Sequence, residues 1–216
     1  GTTLIAAMGP EGGGLFGIPE RLLRHFFYFH IPKYQSESMS TILTQLMNTS
    51  FSRYAEEIRE KIPAAVSASL ELFNECSTNL LPIPSKLHYI FSLRNIARVL
   101  KGMILVEAKD IKDEEAFIHL WANEMSREFF DRFNCAEDRQ WFSNHIRITT
   151  QRHFQKKIDI NQIVFNDFSD RNGVYREVKC SSEDLLKTCR ELLEEHNREA
   201  AKPLDIVLFN EAINHL

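Results

Sequence analysis

The sequence predicts a mostly α-helical protein with a small β-rich part near its N-terminal end. Two short apolar runs, residues 4–8 and 26–32, are bounded by glycine or proline, as buried strands commonly are. From Ser36 onward, apolar residues recur at helical spacing in segments that prolines separate. The β-rich part is therefore expected within residues 1–35, and helices are expected beyond it.

The composition is that of an ordinary globular protein and excludes several classes of partner. The 216 residues are 44% hydrophobic and 26% charged, and the net charge of −4 argues against a chain-wide basic surface for nucleic acid. No apolar run approaches the ~20 residues of a membrane-spanning helix, so no membrane partner is expected. The wide cysteine spacing favours reduced thiols over disulfides or a metal site. The cysteines are Cys76, Cys135, Cys180 and Cys189.

The N-terminal part is organised around a glycine run. Residues 9–14, Gly-Pro-Glu-Gly-Gly-Gly, are unsuited to a helix and permit a tight turn between the two expected strands. Pro19 is suited to a helix start, so one or two helical turns are predicted over residues 20–25. Arg21 and Arg24 are three residues apart and share a face of that short helix. Because the chain opens at Gly1 inside an expected strand, we expect it to be a segment of a larger protein.

Three helices are predicted between Ser36 and Pro82. The first covers residues 36–48 and has a serine available as its N-cap. The second lies around residues 51–61 and is expected to end at Pro63. The third covers residues 64–80 and carries an apolar stripe.

The next helix is the most informative for function. Ser92 is a good N-cap, and Asn95, at the third helical position, can bond back toward it. Gly102 is a plausible stop. Arg94 lies in the first turn, where a cation opposes the helix dipole unless an anion binds there. On spacing alone a solvated arginine is the favoured interpretation of Arg94, and Arg98 would either assist at such a site or pair with an acidic residue.

Further helices are expected to follow. The spacings Glu124–Arg127 and Glu128–Arg132 predict exposed ion pairs on the first of them. The remaining predicted elements are helices over residues 113–133, 138–153 and from Ser181, a turn at residues 170–173, and a short strand over residues 174–178.

Four stretches resemble axonemal dynein heavy chains, in the region from the third AAA+ module to the start of the fourth. The first is Met-Gly-Pro-x-Gly-Gly-Gly followed by Ile-Pro-x-Arg-x-x-Arg-His-Phe, within residues 4–26. The second is His-Tyr-x-Phe-x-Leu-Arg, within residues 85–102. The third is Leu-Trp-x-x-Glu-x-x-Arg-x-Phe-x-Asp-Arg, residues 120–132, and the fourth is the apolar stretch 204–216.

The resemblance implies three parts. Residues 1–35 would complete an AAA+ αβ domain, residues 36–170 would form its helical lid, and residues 171–216 would be the opening segment and first helices of the next AAA+ module.

The resemblance also implies roles for individual side chains. Arg21 and Arg24 would be at the arginine-finger position, which reaches the nucleotide of a neighbouring module. Arg94 would be at the sensor-2 position, which contacts the nucleotide of its own module, with Arg98 and Ser92 as support.

The resemblance further implies that the chain is part of an ATP-driven, minus-end-directed microtubule motor in the axoneme of cilia and flagella. ATP or ADP with Mg would be held mostly by residues outside this chain. The implied partners are adjacent AAA+ modules, microtubules through a stalk, and dynein intermediate and light chains through a tail. The sequence lacks a Gly-x-x-x-x-Gly-Lys-Ser/Thr loop, so this chain alone is not expected to hydrolyse ATP. Two alternatives remain: a non-catalytic helical scaffold, or part of another giant AAA+ ring ATPase.

Overall fold

The computed structural model describes residues 1–9, 16–32, 34–160, 163–169, 173–178, 181–209 and 212–213. They divide into two units, Gly1–Gln35 and Ser36–Leu216. The glycine run at residues 10–14 lies outside the described residues, as does most of the predicted turn at 170–173. Gly173 is described, and its φ of +65° lies in the left-handed region that favours glycine.

The first unit differs from the prediction of two strands. Its regular element is the short helix α1 (Glu20–Leu23), which follows Pro19 as predicted. The described residues of 4–8 and 26–32 form no strand, and their side chains are mostly exposed. A strand is stabilised by a hydrogen-bonded neighbour, and no described residue of this unit pairs with either segment.

The second unit is mostly helical, which confirms the predicted fold class. Its small antiparallel sheet pairs Phe165 with Glu177 and Asn166 with Arg176. The helices are α2 (Ser36–Ser50), α3 (Glu56–Arg59), α4 (Ile62–Asn79), α5 (Leu93–Ile104), α6 (Glu114–Glu128), α7 (Ala136–Phe154) and α8 (Ser182–Glu199), with a 3₁₀ turn at Phe130–Arg132. The strands are β1 (Phe165–Asn166) and β2 (Arg176–Glu177).

The core of this unit is built around α4 and α6. Helix α4 packs against α2 and α7, while α5 packs along α6. Aromatic side chains fill the space near the end of α6. Phe91 stacks on Phe129 with centroids 5.8 Å apart, and Tyr89 meets Phe133 edge-on at 5.5 Å. Such a packed aromatic group fixes the segment that leads into α5.

Two predicted helix ends are wrong. Pro63 does not end a helix, because it lies in the first turn of α4, where its missing N–H removes no intrahelical hydrogen bond. Gly102 does not stop α5, which continues to Ile104. A glycine is required at this position because the Glu124 side chain of α6 approaches it closely.

The described part of the chain was compared with the requirements of a membrane-spanning helix and of a metal site. None of its helices is both long and apolar enough to cross a membrane. Within the same residues no group of three or more His, Cys, Asp or Glu side chains is arranged to hold a metal ion. Cys76, Cys135 and Cys189 are free thiols, and Cys180 lies outside the described residues.

Candidate functional site

The first turn of α5 is set by a cap that the sequence predicts correctly. Ser92 has an extended backbone at the N-cap position. The Asn95 side chain accepts hydrogen bonds at Oδ1 from the Ser92 backbone N–H, at 2.7 Å, and from the Ser92 hydroxyl, at 3.2 Å. Asn95 itself is buried. The helix therefore begins at one defined residue. The Asn95 backbone N–H donates to the Ser92 carbonyl oxygen at 2.9 Å, which leaves the N–H groups of the first two helical residues without intrahelical partners.

Arg94 extends from this first turn and is exposed. No hydrogen bond or ion pair to its guanidinium is found in the part of the chain that the structure describes. A cation at this end of a helix opposes the helix dipole and is not offset here by a carboxylate. Such an arrangement favours an anion, since the guanidinium and the free N–H groups can bind the same phosphate.

Arg98, one turn further along α5, is arranged differently. Its Nη1 lies 3.3 Å from Oε1 of Glu128 in α6. Of the two alternatives that the sequence left open for Arg98, the structure shows the ion pair. The start of α5 thus brings together Ser92, Arg94 and Arg98. The Ser92 side chain bonds to Asn95, the Arg94 side chain is exposed, and the Arg98 side chain pairs with Glu128.

Glu128 connects α5 to the end of α6. Its Oε1 accepts hydrogen bonds from Asn95 Nδ2 at 2.5 Å and from Arg98 Nη1 and Arg132 Nη2, both at 3.3 Å. Arg132 also donates through Nη1 to the carbonyl oxygen of Ile90, at 3.2 Å. The predicted Glu128–Arg132 pair is present, but it is not a solvated pair, because only 15% of the Glu128 side chain is exposed.

The segment before α5 is anchored through the His-Tyr dipeptide of the second stretch described above. Tyr89 is buried, and its hydroxyl donates to Oδ2 of Asp138 at 2.7 Å, while Lys86 Nζ lies 2.5 Å from the same oxygen. His88 Nε2 is 2.9 Å from the Arg132 carbonyl oxygen. Burial and the hydrogen bond to Asp138 raise the pKa of Tyr89 to about 12, so its hydroxyl remains a donor.

The carboxyl of Asp138 responds in the opposite direction. Burial alone would raise its pKa, but hydrogen bonds from Cys135 and Lys86 outweigh burial and hold the pKa below the ordinary value. Asp138 is therefore ionised at neutral pH and ties the segment before α5 to the first turn of α7.

The predicted Glu124–Arg127 ion pair is wrong. The Tyr175 hydroxyl lies between the two side chains, donating to Glu124 Oε1 at 2.5 Å and accepting from Arg127 Nη1 at 3.1 Å. Glu124 is buried, and burial raises the pKa of its carboxyl above the ordinary value. Tyr175 is 51 residues away along the chain, so helical spacing gives no signal for this contact.

Arg21 and Arg24 lie in the first unit and are exposed. Arg21 is in α1, and Arg24 is its C-terminal cap residue. The Nε of Arg24 donates to Nε2 of the adjacent His25 at 3.1 Å. Both guanidinium groups stay outside the core of their unit, while the arginines of α5 belong to the other unit.

The mostly helical fold of the second unit is consistent with a helical lid domain of an ATPase. Residues 39–139, which include α5 and α6, match the family model described as "Dynein heavy chain, ATPase lid domain". This match and the similarity to axonemal heavy chains over nearly the whole chain support a dynein heavy chain fragment.

Individual relatives are similar over almost the whole chain. The chain is 28% identical to dynein axonemal heavy chain 6 of Homo sapiens in an alignment that covers 99% of the chain. It is 30% identical to dynein axonemal heavy chain 12 of Rattus norvegicus in an alignment that also covers 99% of the chain. The chain spans only 5% of the first relative and 8% of the second.

Proposed function

We propose that this chain is the part of an axonemal dynein heavy chain that runs from the third AAA+ module to the start of the fourth. In this proposal the intact heavy chain is an ATP-driven, minus-end-directed microtubule motor in the axoneme of cilia and flagella. The match to a dynein lid and the similarity to several axonemal heavy chains support it.

The function proposed for the lid is to sense the nucleotide of its own module through Arg94. The observation that carries this proposal is the exposed Arg94 guanidinium in the first turn of α5, which has no partner among the residues that the structure describes. A phosphate group there would gain charge-assisted hydrogen bonds from the guanidinium and bonds from the first N–H groups of the helix. ATP or ADP with Mg would be held mostly by residues outside this chain. Ser92 would support the site by fixing the start of the helix, and Arg98 by its pair with Glu128.

Arg21 and Arg24 are proposed as the arginine finger that reaches the nucleotide of the preceding module. Their exposure and the sequence around them support this role. An arginine supplied from a neighbouring unit stabilises the negative charge that develops during phosphoryl transfer. Closure of the lid around one nucleotide and insertion of a finger toward another would then transmit conformational change around the ring.

The remaining partners would bind other parts of the heavy chain. Adjacent AAA+ modules of the same chain would contact this segment directly. Microtubules would bind through a stalk, and intermediate and light chains through a tail, neither of which is encoded in these residues. Because the sequence contains no phosphate loop, this chain alone would not hydrolyse ATP.

The sensor role is tested by Arg94→Ala in the intact heavy chain. Loss of a charge-assisted hydrogen bond should weaken nucleotide binding at the third module roughly 10- to 100-fold. The measurement is the Kd of a fluorescent ADP analogue, in a heavy chain whose other phosphate loops are disabled. Arg59→Ala is the matched control, because Arg59 is another exposed arginine without a partner among the described residues. An unchanged Kd for Arg94→Ala would favour the helical scaffold instead.

The finger role needs a different measurement. Arg21→Ala and Arg24→Ala should lower ATP hydrolysis by the preceding module while leaving nucleotide affinity at the third module unchanged. Normal hydrolysis in both variants would remove the finger from the proposal and leave the sensor untouched.

A further inference from the structure

We propose that Glu128 is a positioning residue for Arg94. In this inference, which rests on the sensor role proposed above, the Glu128 carboxylate holds the start of α5 so that the Arg94 guanidinium is presented to a phosphate. Glu128 would not touch the nucleotide itself.

A chain of hydrogen bonds leads from Glu128 to the residue next to Arg94. Asn95 directly follows Arg94, and its side-chain amide makes two kinds of bond. Through Oδ1 it accepts from the Ser92 backbone N–H, which fixes the cap, and through Nδ2 it donates to Glu128. Because Asn95 is buried, its side-chain amide has little access to water that could replace either bond. The orientation of the first turn of α5 is thereby set by a carboxylate on another helix.

The segment before the helix is also attached to Glu128, through Arg132. Arg132 donates to Glu128 through Nη2 and to the Ile90 carbonyl oxygen through Nη1. The backbone on both sides of the cap is therefore attached to the same carboxylate, by Arg132 on one side and by Asn95 on the other. Loss of Glu128 would free both attachments together.

The charge of Glu128 is balanced by neighbouring arginines. A carboxylate near a phosphate site would ordinarily repel the phosphate. Here Arg98 and Arg132 both lie 3.3 Å from Glu128 Oε1, so two cations more than balance its charge. Glu128 also engages Arg98, and this leaves Arg94 as the unpaired arginine among those described at the start of α5. The arrangement thus gives one defined guanidinium for an anion to meet.

Another carboxylate of the same unit provides a matched control. Glu71 in α4 also has three partners, namely Thr149 at 3.4 Å, His153 at 2.7 Å and Arg152. Its side chain is 26% exposed, against 15% for Glu128. Glu71 and its partners join α4 to α7, not to α5. Removing Glu71 should disturb the packing of the unit to a similar degree without releasing the start of α5.

The experiment compares Glu128→Ala, Glu128→Gln and Glu71→Ala in the intact heavy chain, with the fluorescent ADP analogue as the probe. Glu128→Ala should raise the Kd at the third module roughly 3- to 10-fold. Glu128→Gln, which still accepts from Asn95, should have a smaller effect. Glu71→Ala should leave the Kd unchanged.

The decisive variant combines Glu128→Ala with Arg94→Ala. If Glu128 acts through Arg94, the double variant binds no more weakly than Arg94→Ala alone. Fully additive losses, or equal losses from Glu128→Ala and Glu71→Ala, would overturn the positioning role. An unchanged Kd for Glu128→Ala beside a weakened Arg94→Ala would also overturn it, while leaving the sensor role intact. If Arg94→Ala itself has no effect, the sensor role fails, and the positioning role fails with it.

Discussion

The carboxyl group of Glu124 in α6 lies directly over the Cα of Gly102 in α5. A Cβ placed on Gly102 would stand 1.8 Å from Oε2 and 2.5 Å from Cδ of Glu124. The other carboxylate oxygen, Oε1, is held by the Tyr175 hydroxyl and by Asn123. Because Glu124 is buried and bonded, it has little freedom to move aside. Gly102 is thus explained by a close approach between two helices.

Gly102→Ala is expected to destabilise the protein by about 1–3 kcal/mol. Overpacking against Glu124 and disruption of its bond to Tyr175 both act against the fold. They exceed the gain of about 1 kcal/mol that alanine brings to a helix interior. The measurement is urea unfolding of the 216-residue chain, followed by circular dichroism.

The control is the same substitution in a Glu124→Ala background. With the carboxyl removed, Gly102→Ala should become neutral or stabilising by up to about 1 kcal/mol, because only the helix propensity remains. A loss of the same size in both backgrounds would mean that the clash with Glu124 is not the cause.

Glu124→Gln is expected to change how stability depends on pH. Burial raises the pKa of Glu124 in the folded state above its ordinary value of 4.5. Its protonated form therefore favours folding, and that contribution is present below pH 4.5 and lost as the pH rises through the folded-state pKa. Glutamine keeps the acceptor for Tyr175 but carries no charge. The stability of Glu124→Gln relative to the wild type should thus increase as the pH rises from 4.5 toward neutrality.

The measurement is a series of urea unfolding curves of both proteins over that pH range. A difference that stays constant with pH would show that Glu124 has the same pKa in the folded and unfolded states.

The local features of the lid could be predicted from the sequence. Helical spacing of apolar residues predicted α2 and α5 nearly in full. A serine followed by asparagine at the third helical position predicted the cap of α5. These signals act within a few residues of one another, where hydrogen bonding and side-chain spacing depend on the local backbone alone.

Contacts between distant segments could not be predicted in this way. Asn95 and Glu128 are 33 residues apart, and no local pattern indicates that they meet. Glu124 and Arg127 have the spacing of an ion pair, but Tyr175 from a distant segment binds both. The apolar runs near the N-terminus have the composition of strands, but composition cannot supply the neighbouring strand that pairing requires.

Asp138→Asn is expected to destabilise the protein by about 2 kcal/mol at neutral pH, because the carboxylate accepts charged and buried hydrogen bonds. The pKa of Asp138 is held below its ordinary value of 3.8, so its contribution is present above pH 3.8 and lost as the pH falls through the folded-state pKa. The difference between the wild type and the variant should therefore stay nearly constant from pH 7 to about pH 5 and shrink as the pH falls further, whereas the difference expected for Glu124 changes above pH 4.5.

A urea unfolding series of the same kind, extended below pH 3.8, measures this difference. Tyr89→Phe, which removes one of the buried donors to Asp138, should cost about 1–2 kcal/mol. Tyr34→Phe serves as its control, since Tyr34 is 60% exposed. Equal effects of the two tyrosine substitutions would argue against a buried network around Asp138.

Two serines of α4 give the sharpest test of the core. The Ser69 hydroxyl accepts a hydrogen bond from Trp121 Nε1 at 2.8 Å, and both side chains are fully buried. Ser69→Ala would leave the indole N–H without an acceptor and should cost about 1–3 kcal/mol. Ser77 is the matched control, because its buried hydroxyl has no partner in the part of the chain that the structure describes.

Ser77→Ala should change the free energy of unfolding by less than about 0.5 kcal/mol or raise it, since it removes a buried polar group that is not hydrogen-bonded. Urea unfolding of both variants measures the difference, and Trp121 fluorescence reports on the site itself. If Ser69→Ala is as well tolerated as Ser77→Ala, the indole does not depend on this serine. Since α4 and α6 meet at that hydrogen bond, a large cost for Ser69→Ala alone would show that one polar contact fixes how the two central helices of the lid pack.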